Sequence, residues 1–197
     1  VFALGRALTV GASKSATAAV LGGAGLIVTT SGAIADNDCI GSSGVYTCSG
    51  SITTKNGGNP LNANPLNVTI SERTTVDTSG TVNADAFDLN SNAGITFTNN
   101  NSEVTITGAD EGINAYNNGS GALSITTSGT TTGTNDNGIY AFNKAGTDLT
   151  INAADTTGSK YGILSYNYGS GALNITTTGT TTGQTGGGIY AKNTGTS

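Results

Sequence analysis

The run Gly112-Ile113-Asn114-Ala115-Tyr116-Asn117 returns as Gly138-Ile139-Tyr140-Ala141-Phe142-Asn143 and as Gly162-Ile163-Leu164-Ser165-Tyr166-Asn167. A fourth copy is Gly188-Ile189-Tyr190-Ala191-Lys192-Asn193, and the spacings are 26, 24 and 26 residues. A second block fills each gap: Leu123-Ser124-Ile125-Thr126-Thr127, then Leu149-Thr150-Ile151, then Leu173-Asn174-Ile175-Thr176-Thr177. A third is Gly129-Thr130-Thr131-Thr132-Gly133, matched by Gly179-Thr180-Thr181-Thr182-Gly183. Self-similarity at a fixed period of this size marks a solenoid, a propeller or an array. Within each block apolar residues recur at every second position, so Ile113 and Ala115 face one way while Asn114 and Tyr116 face the other. Three short strands joined by Gly/Asn/Thr turns then make one coil of about 25 residues. A single coil cannot bury its apolar side, but coils stacked at about 4.8 Å pair every strand with its copy above and below. Ile113, Ile139, Ile163 and Ile189 fall into one column. Asn117, Asn143, Asn167 and Asn193 fall into another, where side-chain amides can hydrogen-bond along a ladder. The expectation is an all-β chain folded as a parallel β-helix. A WD40-type propeller needs four strands in roughly 40–45 residues and fits worse.

Working outward, Ala86-Phe87-Asp88-Leu89 stands 26 residues before Gly112 and reads as a diverged earlier copy. Leu66-Asn67-Val68-Thr69-Ile70 and residues 104–106 read as strands of the same kind. Composition agrees. Thr (35), Gly (31), Asn (22) and Ser (18) make up more than half of the 197 residues, and these are strand and turn formers rather than helix formers. A helical bundle is excluded, and no segment would serve as the crossover helices of a Rossmann-type fold. With no His, the chain lacks Ser-His and Cys-His nucleophile pairs, imidazole metal ligands and the usual neutral-pH base. The net charge of −5 and the singly scattered Lys and Arg argue against nucleic acid as a partner.

The first 35 residues are of a different kind. Arg6 and Lys14 are their only charges, residues 16–28 are uncharged and mostly apolar, and Ala33-Ile34-Ala35 precedes Asp36. That is the order of a secretory signal peptide, and the apolar run is too short for a membrane span of about 20 residues. Cys39 and Cys48 follow at hairpin distance. As the two cysteines of an exported chain, they are expected to form a disulfide that pins an N-terminal cap over 36–50. The β-helix is expected over 51–197.

The leader, the Asp38-Cys39…Cys48 segment and repeats of the form GIYAxNxGxxLxITTxGTTTG together resemble the passenger domain of a bacterial type V autotransporter. The resemblance spans essentially the whole chain, on a degenerate motif. It implies a right-handed β-helix, export through the inner membrane, and secretion through the protein's own C-terminal β-barrel. It further implies display at the cell surface, in the outer membrane or outside a Gram-negative cell. That translocator barrel is not present in the sequence, which stops within a repeat at Gly195-Thr196-Ser197. The expectation is therefore a fragment of a longer product.

Two functions of different class follow. The first is a non-catalytic structural or adhesive module for attachment or cell–cell contact, with a host-cell or matrix protein or a glycan as partner. The second is the scaffold of an exported polysaccharide-degrading enzyme whose catalytic residues lie elsewhere. No catalytic, cofactor-binding or metal-binding residues are expected in this stretch. Asp110-Glu111, Asp136, Asp148 and Asp155 read as solvated turn acids, with a cation at stacked Asp110 and Asp136 the lesser alternative. Tyr116, Phe142 and Tyr166 share an outward column, with Tyr140 and Tyr190 two residues earlier in their blocks. Such rings pack between adjacent turns, and they are also the candidate contact surface.

Overall fold

The computed structural model describes residues 39–58 and 61–195, so the expected signal peptide lies outside the described residues. Strands β1 (Cys39–Ser42) and β2 (Val45–Cys48) form an antiparallel hairpin in which Cys39 faces Cys48 and is bonded to it. The chain then coils. The first turn continues from β2 through β3 (Ser51–Ile52) and β4 (Leu61–Asn62), and the second holds β5 (Leu66–Ile70), β6 (Thr75–Asp77) and β7 (Phe87–Ser91). The third holds β8 (Ile95–Asn99), β9 (Thr105–Gly108) and β10 (Ile113–Asn117). The fourth holds β11 (Leu123–Thr127), β12 (Thr130–Gly133) and β13 (Ile139–Asn143). The fifth holds β14 (Leu149–Ala153), β15 (Thr156–Gly158) and β16 (Tyr161–Asn167). The sixth holds β17 (Leu173–Thr177), β18 (Thr181–Gly183) and β19 (Gly187–Asn193).

Each turn of roughly 26 residues adds one strand to each of three sheets. Face one runs β1-β2-β5-β8-β11-β14-β17, face two β3-β6-β9-β12-β15-β18 and face three β4-β7-β10-β13-β16-β19. Apart from the β1–β2 hairpin, all these pairings are parallel. This is a parallel β-helix. The register is that of the repeat: Ile113, Ile139, Ile163 and Ile189 are successive partners, as are Leu123, Leu149 and Leu173.

Alternate residues of a strand point to opposite sides, so a closed coil turns every second residue into its interior. Ile113, Ala115, Ile139, Ala141 and Ile163 are fully buried there, with Leu123, Ile125, Leu149 and Ile151 opposite on face one. The glycine that opens each face-three block has a packing reason. A Cβ on Gly138 would stand 2.6 Å from Thr156 Cγ2 and 2.7 Å from the Gly162 carbonyl oxygen. The corner between faces two and three leaves room for hydrogen only.

The asparagine column lies inside the coil. Asn117 Nδ2 donates to Asn143 Oδ1 at 2.8 Å, Asn143 to Asn167 at 2.8 Å and Asn167 to Asn193 at 3.2 Å. Each amide also donates to the carbonyl four residues on, Gly121, Thr147 and Gly171 respectively, and so ties the corner that leads to face one. Asn117, Asn143 and Asn167 are fully buried, and these bonds meet the demand that a buried amide be satisfied.

The N-terminal end departs from a plain cap over 36–50. β2 pairs in parallel with β5, with Cys48 beside Ile70, so β2 is already a rung of face one, while β1 lies outside the coil. Among the described residues face three has two strand residues in this turn, and a side chain completes it. Asn56, at φ +56°, accepts from Asp88 N at 2.8 Å and donates to Asp88 O at 3.1 Å, as a neighbouring strand would.

Candidate functional site

The outer side of face three carries the aromatic residues, because the same alternation that sends Ile139 and Ala141 inward sends Tyr140 and Phe142 outward. Tyr116 and Phe142 stack with ring centroids 4.5 Å apart and planes 13° apart. Phe142 reaches Tyr166 at 6.1 Å, Tyr140 reaches Tyr166 at 6.3 Å, and Tyr166 reaches Tyr190 at 5.8 Å. Two rings outside the expected set join them. Tyr168 lies parallel to Tyr166 and 5.4 Å from Phe142, and Tyr161 lies 5.6 Å from Tyr190. Tyr168 stands two residues after Tyr166, the same period-two signal that marks the others. Lys192 takes the next place in the Tyr116 column and holds its Nζ 5.6 Å from the Tyr168 ring centre, a cation–π contact.

The rings therefore form one continuous field over four turns. Contacts between successive turns stabilise parallel strands in their own right. The field still presents surface: Tyr168 and Tyr190 are each 43% exposed, and Tyr116, Tyr140, Phe142 and Tyr166 are half-buried. Burial lifts the Tyr140 phenol to about 12, helped by Tyr116, Tyr166, Glu111 and Tyr168, and it raises Tyr166 as well. Both hydroxyls stay neutral and able to donate at physiological pH.

Beside this field, at the corner where face two passes to face three, three acids meet. Asp85 is only 6% exposed, and one carboxylate oxygen from each of Asp85, Asp110 and Glu111 lies within 4.8 Å of the others. The register explains the meeting: Asp85, Glu111 and Asn137 are 26 residues apart and succeed one another at this corner. Asp85 accepts from the Glu111 backbone N at 3.2 Å and from Asn114 Nδ2 at 3.2 Å. Asn137 Nδ2 donates to Asp136 Oδ1 at 2.7 Å and to Glu111 Oε1 at 3.4 Å. Asp136, the partner of Asp110 in the lesser alternative of a stacked pair, holds Lys160 Nζ at 2.6 Å.

Burial, a carboxyl hydrogen bond with Asp85 and the charges of Asp85, Asp110 and Asp136 push Glu111 up to about 8. Asp110 is raised too, by burial and then by Asp136 and Asp85, with Lys160 opposing. Asn114 links the two features. Its amide is on Asp85, and its register partner on the next turn is Tyr140. Among the described residues, this corner is the one group of three or more acidic, His or Cys side chains placed to hold a metal ion.

No family model, no curated protein and no solved structure matches this chain.

Proposed function

We propose that the chain is a non-catalytic, adhesive passenger of the autotransporter kind, exported and displayed outside a Gram-negative cell, with the ring field of face three as its contact surface for a glycan. The observation that carries the reading is the continuity of that field. Tyr116, Phe142, Tyr140, Tyr166, Tyr168 and Tyr190 touch in series on a rigid parallel sheet. Fixed rings lose little conformational freedom on binding and offer flat apolar faces with neutral hydroxyls at their edges, which suits the apolar face and hydroxyl rim of a sugar. The coil supplies length and regularity, and the Thr-, Ser- and Asn-rich exterior is hydrated without strong charge.

The test is binding of the purified chain to a glycan panel and to cell surfaces. The triple variant Tyr116→Ser, Phe142→Ser, Tyr166→Ser is expected to lose binding at least tenfold while keeping its β-sheet circular dichroism. A folded variant that binds as the parent does would remove the ring field from the proposal. A parent that binds none of these surfaces would remove adhesion altogether.

A further inference from the structure

We propose that the corner formed by Asp85, Asp110 and Glu111 is a Ca²⁺ site, completed by the side-chain oxygens of Asn114 and Asn137. Three carboxylates crowded together would not by themselves point to an ion. The second observation is the state of the two amides. Asn137 is 2% exposed, and its Nδ2 lies against Glu111 and Asp136, yet its Oδ1 is buried with no hydrogen-bond partner. Asn114 repeats the arrangement from the other side: Nδ2 on Asp85, Oδ1 buried and without a partner. Buried polar atoms are nearly always satisfied, so an orphan calls for an explanation. Here two orphaned acceptors flank three acids, and no Lys or Arg among the described residues forms an ion pair with any of the five. Lys160 is bonded to Asp136 instead. One cation at this corner would meet the carboxylates and both orphaned acceptors together.

The donor set selects the ion. It is oxygen alone, from carboxylates and amides, in a chain without His and with both cysteines joined to each other. Hard cations take such ligands. Mg²⁺ holds most of its water and uses one or two carboxylates, while Ca²⁺ accepts several carboxylates and amide oxygens at once. Two oxygens on one Ca²⁺ can stand as far apart as twice the bond length, roughly 4.6–5.2 Å. The 4.8 Å within which the three carboxylate oxygens lie falls inside that limit for each pair. The ion would bind the third turn to the second and fourth, because Asp85 precedes β7, Asp110 and Glu111 precede β10, and Asn137 precedes β13.

The experiment uses the chelator-treated full chain and two probes, Tb³⁺ luminescence and Ca²⁺ titration by calorimetry. The chain has no Trp, so tyrosine sensitises the Tb³⁺ signal, and Tyr140 is the ring nearest in register to the Asn114 ligand. Saturable Tb³⁺ binding at one site per chain, displaced by Ca²⁺ at about millimolar concentration or below, is expected. Asp110→Asn, at a half-buried position, is expected to weaken Ca²⁺ at least tenfold with circular dichroism unchanged. Glu111→Gln provides a second reading at the neighbouring carboxylate. The proposal is overturned by any of three results: no saturable binding at millimolar Ca²⁺, preference for Mg²⁺, or undiminished binding in both variants.

Discussion

The first turn and the last described turn are built from the same kinds of residue and meet opposite conditions. In the first, Cys48, Ile52 and Leu61 are at most 2% exposed. In the last, Leu173 and Ile175 are half-buried and Ile189 is 47% exposed, although Ile189 stands in register with the fully buried Ile163. The difference is coverage. At the first turn β1 lies over the edge of face one, and Asn56 substitutes for a strand on face three. At the last, the outer edges of β17, β18 and β19 have no strand partner among the described residues. In a coil, then, a residue's burial is supplied by the turns above and below it as much as by its own alternation.

Two substitutions sharpen this. The largest effect is expected from Ile139→Asp, which places a carboxylate in a dry column covered on both sides and costs on the order of 4 kcal/mol in chemical unfolding. Tyr140→Thr, one residue on and facing outward, is expected to cost about 1 kcal/mol or less. Equal losses would show that the inward and outward assignment fails. Next comes the cover itself. Replacing Cys39 and Cys48 together by Ser reopens a loop with a sequence separation of 9, worth roughly 2–3 kcal/mol on the chain-entropy argument. The loss should be local, with faster amide exchange in β1, β2 and β5 and unchanged exchange in β13 and β16. Uniform acceleration along the coil would mean that the first turn is not a separate cover.

What the sequence makes legible follows from the same physics. Strands, faces and columns could be read because one period of about 26 residues and one alternation of two repeat together. Ile139 and Asn143 are decided by local pattern alone. The acid corner could not be read that way. Asp85 sits in the most diverged copy, where Ala86-Phe87-Asp88-Leu89 replaces Gly-Ile-x-Ala, and its meeting with Glu111 follows only when that copy is laid in register. The 26-residue interval from Asp85 to Glu111 to Asn137 is the signal, and the same interval joins Asp110 to Asp136. Side-chain contacts distinguish the two, since Asp136 carries the Lys160 ion pair and Glu111 is pressed against Asp85. Asn56 was illegible for another reason: its amide imitates a strand from a position of positive φ that no periodicity marks.

The smallest effect is expected from the substitution that most resembles the first. Ile189→Asp alters the same residue type in the same column as Ile163→Asp, one turn away. Ile163 is sealed between β13 and β19, whereas Ile189 has β16 on one side only and is 47% exposed. A carboxylate at Ile189 keeps much of its hydration, so the desolvation penalty that dominates inside the coil largely vanishes. Some apolar contact with Ile163 is lost, which at this exposure amounts to about 1 kcal/mol or less. Ile163→Asp should behave as Ile139→Asp does, and the gap of several kcal/mol between neighbours in one column measures the coverage that a single turn provides. Matching large losses at Ile163 and Ile189 would mean that the last described turn is covered in solution. The contrast between the two ends would then be one of contacts made by that turn rather than of its own strands.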